Sequence, residues 1–301
     1  MSATSRVAGV DGFNGGWVAV IRDLAVDAGN SAAAYRFCVA GSFSDLMSKL
    51  DERDVDVVGI DVPIGLLDEA RAGGRPVDQT ARILAKSPSS VFPAPIRPVI
   101  DYVREHGSAA TVEEARRISQ ANSPSHPISL SSQAFNIAPK IAEVDAWVRA
   151  NDPEQEHVFE VHPEVCFTAM TMDAHAEAPP KKLAGDKKSS ASGRRARLDR
   201  LCARAGVPEA LLSAGDDDLL TDLRKRAVAA SPFTYGAVKA DDLIDAFAAA
   251  WSAARIARRR DADAGVLRLF VPDVPQRFAA QQRSALTPAT DAHGLRMEIW
   301  A

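Results

Sequence analysis

The feature that most constrains the fold is a β-hairpin predicted near the N-terminus, in the stretch VAGVDGFNGGWVAVIR. Val7 to Val10 form an apolar run, FNGG is typical of a tight turn, and Trp17 to Ile21 return as a second strand. The first run ends at Asp11, although aspartate is depleted in strands because its short side chain competes for backbone hydrogen bonds. Asp11 is therefore either a turn residue that accepts a backbone N–H or a functional carboxylate at a strand end.

The segments after the hairpin extend this pattern into an α/β fold. Ala33 to Ala40 is predicted as a third strand, and Phe43 to Leu50 has apolar residues at helical spacing. Asp56 to Val62 is a compact apolar run that ends at a second isolated acid, Asp61, just before Pro63. The predicted order is strand, strand, strand, helix, strand.

Two later elements complete the predicted sheet and cover it. Val158 to Val161 is predicted as a fifth strand that ends before Pro163. Asp241 to about Arg259 is predicted as the strongest helix, because acids open it and arginines close it, in agreement with the helix dipole. These elements predict a mixed five-stranded sheet flanked by helices.

The remaining segments have weaker signals. A helix is predicted from Pro139 to about Ala150, since proline suits a first helical turn. Ser87 to Pro98 holds too many prolines for a helix or a central strand, so a loop is predicted there. The loop is expected to be ordered if the Phe92 side chain is buried. Ala174 to Arg200 is predicted as a mobile surface loop, with helix resuming at Leu198, and the tail contains two possible short strands, GVLRLFV and GLRMEIW.

Composition excludes several classes of protein. The 301 residues carry a formal charge of -4, which gives no global attraction for nucleic acid. The three cysteines are far apart and lack CxxC spacing, so neither a zinc cluster nor a disulfide framework is predicted. No secretory leader or membrane-spanning stretch is predicted either, and the expected location is cytoplasmic.

Acids gather at three element boundaries: Asp11, Asp61, and the start of the late helix, where Asp241, Asp242 and Asp245 lie. Carboxylates brought together would repel one another, so such a site is stable mainly when divalent cations compensate the charge. Mg²⁺ prefers hard oxygen ligands, and a pair of such ions can assist phosphodiester hydrolysis. The pattern predicts a magnesium or manganese site.

A structural explanation exists for each acid taken alone. Acids in a first helical turn stabilise the helix without any metal, and Asp61 before Pro63 suits a turn. Asp242 and Asp245 lie away from the large apolar face of their helix, towards small residues such as Ala249. That side of the helix is either exposed to solvent or in close contact with another element.

The order of the elements resembles the ribonuclease H-like fold, and GVDG, GIDVPIG and DDLIDAFAAA resemble the Holliday-junction resolvase branch. More closely, GVDGFNGGW, IDVPIG, SSVFPAP, SQAFNIAPKIAEVD, EVHPEVCF and DDLIDAFAAA resemble an uncharacterised prokaryotic family of predicted ribonuclease-H-like nucleases, a domain of unknown function, across nearly the whole chain. The resemblance implies one ribonuclease H-like domain over residues 1–301, with insertions at about 66–156 and 168–238.

The resemblance also implies a set of site residues. The catalytic and metal-binding acids would be Asp11, Asp61, Asp242 and Asp245, with Asp241, Glu160 and Glu164 as further candidate ligands. The resolvase branch usually has glutamate at the fourth-strand position, so the shorter Asp61 would need a closer approach to the metal. The candidate substrate-binding residues, which would contact nucleic-acid phosphates, are Lys140, His162, Lys181, Lys182, Lys187, Lys188, Arg194 and Arg195.

Three functions follow as expectations. The first is a metal-dependent nuclease or phosphodiesterase. The second is a nucleic-acid-binding module of the same fold without catalysis. The third is a phosphotransferase of the actin-like fold, which shares the strand order and a DG-type phosphate turn. That fold needs a duplicated second half, and the sequence shows no second GVDG-like hairpin. Structural roles compete for the other residues, since a histidine beside proline is commonly structural and charge runs are commonly solvated.

Overall fold

The computed structural model describes residues 6–26, 32–85, 90–124, 127–172, 190–212, 221–229, 231–234, 236–261 and 289–300. These residues form two compact units. The first contains the described residues up to Asp61, those from His157 to Asp261, and Trp300, and the second contains Val62–Glu156 and residues 289–299. The interpretation of the whole chain as one domain with two insertions stays a prediction.

The first unit is built on a mixed five-stranded open sheet, as predicted, with strand order β3-β2-β1-β4-β5. Strand β2 is antiparallel to β1 and β3, whereas β4 is parallel to β1 and β5 is parallel to β4. The strands are β1 Arg6–Phe13, β2 Gly16–Asp23, β3 Tyr35–Ala40, β4 Val57–Ile60 and β5 Val158–Glu160. The class is therefore α/β.

The predicted hairpin is confirmed, and β1 extends two residues beyond Asp11. That extension pairs only with β2, because the register with β4 ends where Val10 lies opposite Ile60. The predicted third strand is shorter at its start, since Ala32–Ala34 form a 3₁₀ turn before β3. Side chains alternate between the two faces of each strand, so both faces of the central strands are apolar and buried.

Helices of the first unit cover both faces of the sheet, and the second unit contains helices of its own. Their bounds are α1 Phe43–Asp51, α2 Pro76–Leu84, α3 Arg97–His106, α4 Val112–Ala121, α5 Ser132–Asn151, α6 Pro163–Met172, α7 Ala191–Ala205, α8 Glu209–Leu212, α9 Thr221–Val228 and α10 Ala240–Asp261. Helix α1 packs beside Trp17 through Phe43, and α10 packs on the opposite face, where Phe247 contacts Tyr35 and Phe37 of β3. Both helices begin within one residue of the predicted position.

The predicted start of α5 at Pro139 is wrong. The helix begins at Ser132, with the Ser131 hydroxyl accepting a hydrogen bond from the Ala134 amide, and Pro139 lies inside it. A proline inside a helix removes one hydrogen bond and crowds the preceding turn. Burial of Ala134, Ala138 and Ile141 along one side offsets that cost, because tertiary packing supplies most helix stability.

The predicted loop from Ala174 to Arg200 is also wrong at its C-terminal end. Helix α7 begins at Ala191, capped by Ser190, whose hydroxyl accepts from the Gly193 amide. The buried residues Leu198, Leu201 and Ala205 hold it against the rest of the first unit. Residues 174–189 of that predicted loop, and the predicted strand GVLRLFV, lie outside the described residues.

The second unit contains α2 to α5 and the C-terminal segment, residues 289–299. Phe92 is half buried against an apolar cluster that includes Ile96, Val99 and Leu130, as expected for an ordered loop. Arg97 is buried and binds Asp145 through two hydrogen bonds of 3.1 Å and Asp291 of the C-terminal segment at 2.5 Å. The predicted strand GLRMEIW contributes isolated bridges, Thr290 with Arg296 and Val161 with Trp300.

Two chemical expectations can be compared with the described residues. Cys38, Cys166 and Cys202 are all free thiols, in agreement with the prediction of no disulfide framework. A search of the described helices finds none with the length and apolar character needed to cross a membrane.

Candidate functional site

The candidate site lies at the edge of the sheet where three neighbouring parallel strands end. The register pairs Val10 of β1 with Ile60 of β4, and the Asp61 amide donates a hydrogen bond of 3.2 Å to the Val10 carbonyl. Asp11 and Asp61 are thus the next residues along two adjacent strands, whose backbones are about 4.8 Å apart. Two acids that are 50 positions apart in the sequence become direct neighbours.

Helix α10 covers the face of the sheet to which these two positions belong. Strand alternation places Asp11 on the same face as Gly9, and Asp61 on the same face as Gly59. A Cβ atom added to Gly9 would lie 2.0 Å from the Ala250 amide nitrogen, and one added to Gly59 would lie 2.8 Å from the Ala249 carbonyl oxygen. Both glycines therefore allow the helix backbone to approach the strands closely.

The direction of α10 brings its first turns towards the two acids. Val7 shares a buried cluster with Ala254 and Ala257, whereas Gly9 lies against the backbone of residues 246–250, so the helix runs opposite to β1. Two residues of strand advance about 6.6 Å, which is about four residues of helix. Gly9 lies against residues 246–250 of α10, so Asp11, two residues further along β1, lies near the level of Asp245. Asp242 is one helical turn before Asp245.

Electrostatic effects on a buried thiol support this placement. Burial raises the pKa of Cys166 to about 12, and the charges of Asp61 and Asp245 add to that increase. The thiol lies 3.1 Å from the Ser252 hydroxyl of α10. Asp245 is buried, and both Asp245 and Asp61 therefore lie close enough to the Cys166 thiol for their charges to act on it.

The carboxyl of Asp242 has an unusual proton affinity. Its pKa is raised to about 6, chiefly by burial and in addition by the charges of Asp245 and Asp241, whereas a hydrogen bond from the Lys239 amide opposes the increase. That hydrogen bond, 2.7 Å long, caps the start of α10. Asp242 thus combines the predicted capping role with a place in a group of mutually repelling acids.

The donor chemistry of these acids suits a hard divalent cation, but their side chains do not form a closed cage. Among the residues that the structure describes, no three His, Cys, Asp or Glu side chains are grouped closely enough to hold a metal ion. One oxygen of Asp11 accepts a hydrogen bond of 2.7 Å from the Gly12 amide. Mg²⁺ commonly takes only one or two protein carboxylates and keeps several waters, so Asp11, Asp61 and Asp245 are the residues that could hold it.

Comparison with known proteins gives a family for this architecture. The family described as "Protein of unknown function (DUF429)" matches residues 9–275, which include most of β1, the other four strands and α10. The chain belongs to this DUF429 family. No curated protein and no solved structure matches it. Membership of a family of unknown function is thus confirmed, whereas the resemblance to nucleases and to Holliday-junction resolvases stays a prediction.

The other predicted metal ligands of the DUF429 chain belong to β5, α6 and α10. Strand alternation puts Glu160 on the face of the sheet opposite to them, where it is buried. Glu164, in the first turn of α6, pairs with Arg197 of α7. Asp241 lies in the first turn of α10 and is partly exposed.

The predicted substrate-binding residues are spread over the DUF429 chain. His162 follows β5 at the same sheet edge, and its ring nitrogen Nδ1 is buried without a hydrogen-bond partner in the described part. Arg195 is exposed on α7 and pairs with Asp199 at 2.8 Å, and Arg194 lies beside it on the same helix. Lys140 belongs to α5 in the second unit. Lys181, Lys182, Lys187 and Lys188 lie outside the described residues.

Helix α7 places two arginines, Arg197 and Arg200, near the first turn of α6. The sequence did not indicate either of them as a site residue. The Arg197 guanidinium reaches Glu164, and burial together with the charge of Arg197 lowers the pKa of Arg200. Their spacing at i and i+3 was a usable signal, because it places both on one side of a helix. It was missed because the start of α7 was placed seven residues too late.

Proposed function

We propose that this DUF429 chain is a metal-dependent nuclease or phosphodiesterase whose first unit has a ribonuclease H-like fold. The observed order of three strands, a helix, a fourth strand followed by an acid, and a late helix that opens with acids supports the fold assignment. The neighbouring positions of Asp11 and Asp61 on two parallel strands carry the functional assignment.

The acids of α10 strengthen the proposal because they add negative charge near Asp11 and Asp61, which already repel one another. Asp245 is buried, and Asp242 is close enough to it for its pKa to be raised. An acidic group of this kind is destabilising unless cations or protons neutralise it. A surface that served only to stabilise the fold would gain nothing from such repulsion, whereas a cation site requires it.

The chain's own residues would divide the work as follows. Asp11 and Asp61 would bind the cation from the two strand ends, and Asp245 would face them from α10. A bound Mg²⁺ or Mn²⁺ would polarise a phosphoryl oxygen and lower the pKa of a water molecule, whose addition breaks one P–O bond. Asp242, with a pKa of about 6, would be able to accept or donate a proton near neutral pH.

The experiment is cleavage by the purified full chain of single-stranded, duplex, hybrid and branched nucleic acids with Mn²⁺, and with EDTA as the blank. We expect cleavage by the wild type and a loss of about 100-fold or more in Asp61→Asn, roughly 3 kcal/mol of transition-state stabilisation. Asp51→Asn, an exposed acid at the end of α1, is the matched control and should keep full activity. Equal cleavage by wild type and Asp61→Asn would contradict the proposal.

A binding module without catalysis is the second candidate, because no three potential ligand side chains are grouped closely enough for a metal in the described part of the chain. On this alternative the wild type retards strands in a gel in a salt-dependent way and cuts none of them with Mn²⁺. ATP turnover without either behaviour would favour a phosphotransferase instead.

A further inference from the structure

Arg197 of α7 contacts the start of α6, and several contacts fix the position of its side chain. The Arg197 side chain is 12% exposed and pairs with Glu164 through Nη2. Its Nη1 donates to the Gly193 carbonyl at 3.2 Å, and its guanidinium carbon lies 5.6 Å from the centre of the buried Phe167 ring. The guanidinium is therefore held in one orientation before any ligand arrives.

A second arginine joins it one helical turn later. Arg200 is on the same side of α7 as Arg197, since residues three apart share a helix face. Its nitrogen Nη1 and the Nε of Arg197 are both buried, and neither has a hydrogen-bond partner among the described residues. Buried guanidinium nitrogens are costly to leave without an acceptor.

The charges at this place do not balance among these residues. Two guanidinium groups meet one carboxylate, that of Glu164, which already pairs with Arg197. Burial and the charge of Arg197 lower the pKa of Arg200, and Glu164 only partly opposes this effect. One positive charge and two donors therefore remain for an anion.

The site adjoins the edge of the sheet that carries the acids. Helix α6 starts three residues after β5, and β5 ends at the same edge as its parallel neighbours β1 and β4. Helix α7 packs against both α6 and α10. The two arginines thus lie near the end of β5, whose neighbour β4 is the strand that Asp61 follows.

We propose that Arg197 and Arg200 bind an internal phosphodiester group of a nucleic-acid strand at this edge of the sheet. Guanidinium groups match the geometry of phosphate oxygens and stay charged when partly buried. The inference that the phosphate belongs to a strand rests on the proposed function. The need for an anionic ligand rests only on the two arginines and their unmatched donors.

The test is the affinity of the full chain for a short single strand without terminal phosphates, measured in EDTA so that no metal takes part. The second ligand is the same strand with uncharged methylphosphonate linkages. We expect the wild type to prefer the charged strand. Arg200→Gln should weaken binding of the charged strand by about tenfold and reduce its salt slope by about 0.7.

Arg204→Gln is the matched control, because Arg204 lies in the last turn of the same helix and is exposed. It should bind the charged strand as the wild type does. Arg200→Lys, which keeps the charge without the guanidinium fork, should give an intermediate affinity. The melting temperature of Arg200→Gln should equal or exceed that of the wild type, because a buried donor without a partner is removed.

Several outcomes would overturn the inference: no preference of the wild type for the charged strand, equal affinity of wild type and Arg200→Gln, an equal loss in Arg204→Gln, or a lower melting temperature of Arg200→Gln. Cleavage that is normal in Arg200→Gln, together with wild-type binding, would remove this inference and leave the nuclease proposal intact. Charged-strand binding that depends on Arg200, without any cleavage, would remove the nuclease proposal and leave this inference intact.

Discussion

At the scale of single residues, the surroundings of the Asp242 carboxyl act on its pKa in two opposite directions. As an acceptor from the Lys239 amide it stabilises the start of α10, and this role favours the charged form. Burial and the charges of Asp245 and Asp241 favour the protonated form and raise its pKa to about 6. The unfavourable effects prevail, which is the balance expected at a functional acid.

This balance predicts a pH-dependent effect of Asp242→Asn on stability. A folded-state pKa of about 6, above the ordinary value of 3.8, means that the folded protein holds this proton more tightly than the unfolded chain. The contribution of this carboxyl to the free energy of unfolding is therefore greatest below pH 3.8 and falls as the pH rises through 6. Asparagine keeps the acceptor without the charge, so the variant should be more stable by about 2 kcal/mol at pH 7.5 and unchanged at pH 3.5.

Thermal or denaturant melts at the two pH values, without metal, measure this effect. Asp222→Asn, an exposed acid in the first turn of α9, is the control and should change stability by only a few tenths of a kcal/mol at either pH. A destabilised Asp242→Asn at pH 7.5 would show that capping outweighs the repulsion.

At the scale of elements, the contact of α10 with β1 and β4 decides where the acids meet. The side of α10 that bears small residues, including Ala246, Ala249 and Ala250, faces the two glycines. This contact resolves the alternative left open by the sequence, because the side of the helix that bears Ala249 packs against the sheet and Asp245 is buried. Close approach of two backbones is possible only where both surfaces lack long side chains.

Gly9→Ala should therefore weaken the helix contact severely. The new methyl group would lie 2.0 Å from a backbone nitrogen of α10, and the backbone cannot move aside cheaply. We expect a loss of about 3 kcal/mol or more in unfolding free energy, measured by denaturant titration. Gly41→Ala, whose nearest neighbour is 3.8 Å away, is the control and should stay within about 0.5 kcal/mol of the wild type. Similar small effects of both substitutions would refute the close packing.

At the scale of the whole molecule, the chain forms two units, each with its own apolar core. The C-terminal segment, residues 289–299, returns to the second unit and is held there by Asp291. That carboxylate accepts hydrogen bonds from the Leu66, His293 and Leu295 amides as well as from Arg97. Residues 289–299 are thus held within the second unit by a buried ionic network.

Removal of one partner of that network should be costly. In Asp291→Ala, Arg97 keeps only Asp145, and the Leu66 amide loses its acceptor, so we expect a loss of about 3 kcal/mol in unfolding free energy. Asp101→Ala, from an exposed pair with Arg104, is the control and should cost at most about 1 kcal/mol. An Asp291→Ala variant as stable as the wild type would show that the segment is not held by this carboxylate.

The same network predicts acid sensitivity. Burial raises the pKa of Asp291, but the backbone hydrogen bonds and Arg97 outweigh burial and hold it below 3.8. The contribution of this carboxylate to stability is therefore complete above the ordinary pKa and is lost as the pH falls through the lower folded-state value. The difference between wild type and Asp291→Ala should shrink only below about pH 4.

The amino-acid sequence by itself determined the elements whose signals are local. Alternating apolar residues, FNGG and the acid-opened late helix were enough to predict the hairpin, α1, β4, β5 and α10, and with them the α/β class. Asp11 and Asp61 could be selected because each follows an apolar run within a few residues. Family membership was readable from motifs for the same reason.

Only the tertiary structure decided which of these residues meet. The register of β1 with β4 brings Asp11 beside Asp61. Glu160 of β5 lies opposite Ile60, one residue before Asp61, and its side chain is therefore on the other face of the sheet. Helix α5 runs through Pro139 because buried contacts compensate a local cost, and Arg197 is recognised as a site residue only through its contact with Glu164. Such contacts join positions far apart in the chain, and their energies are set by packing and burial, which no local sequence pattern contains.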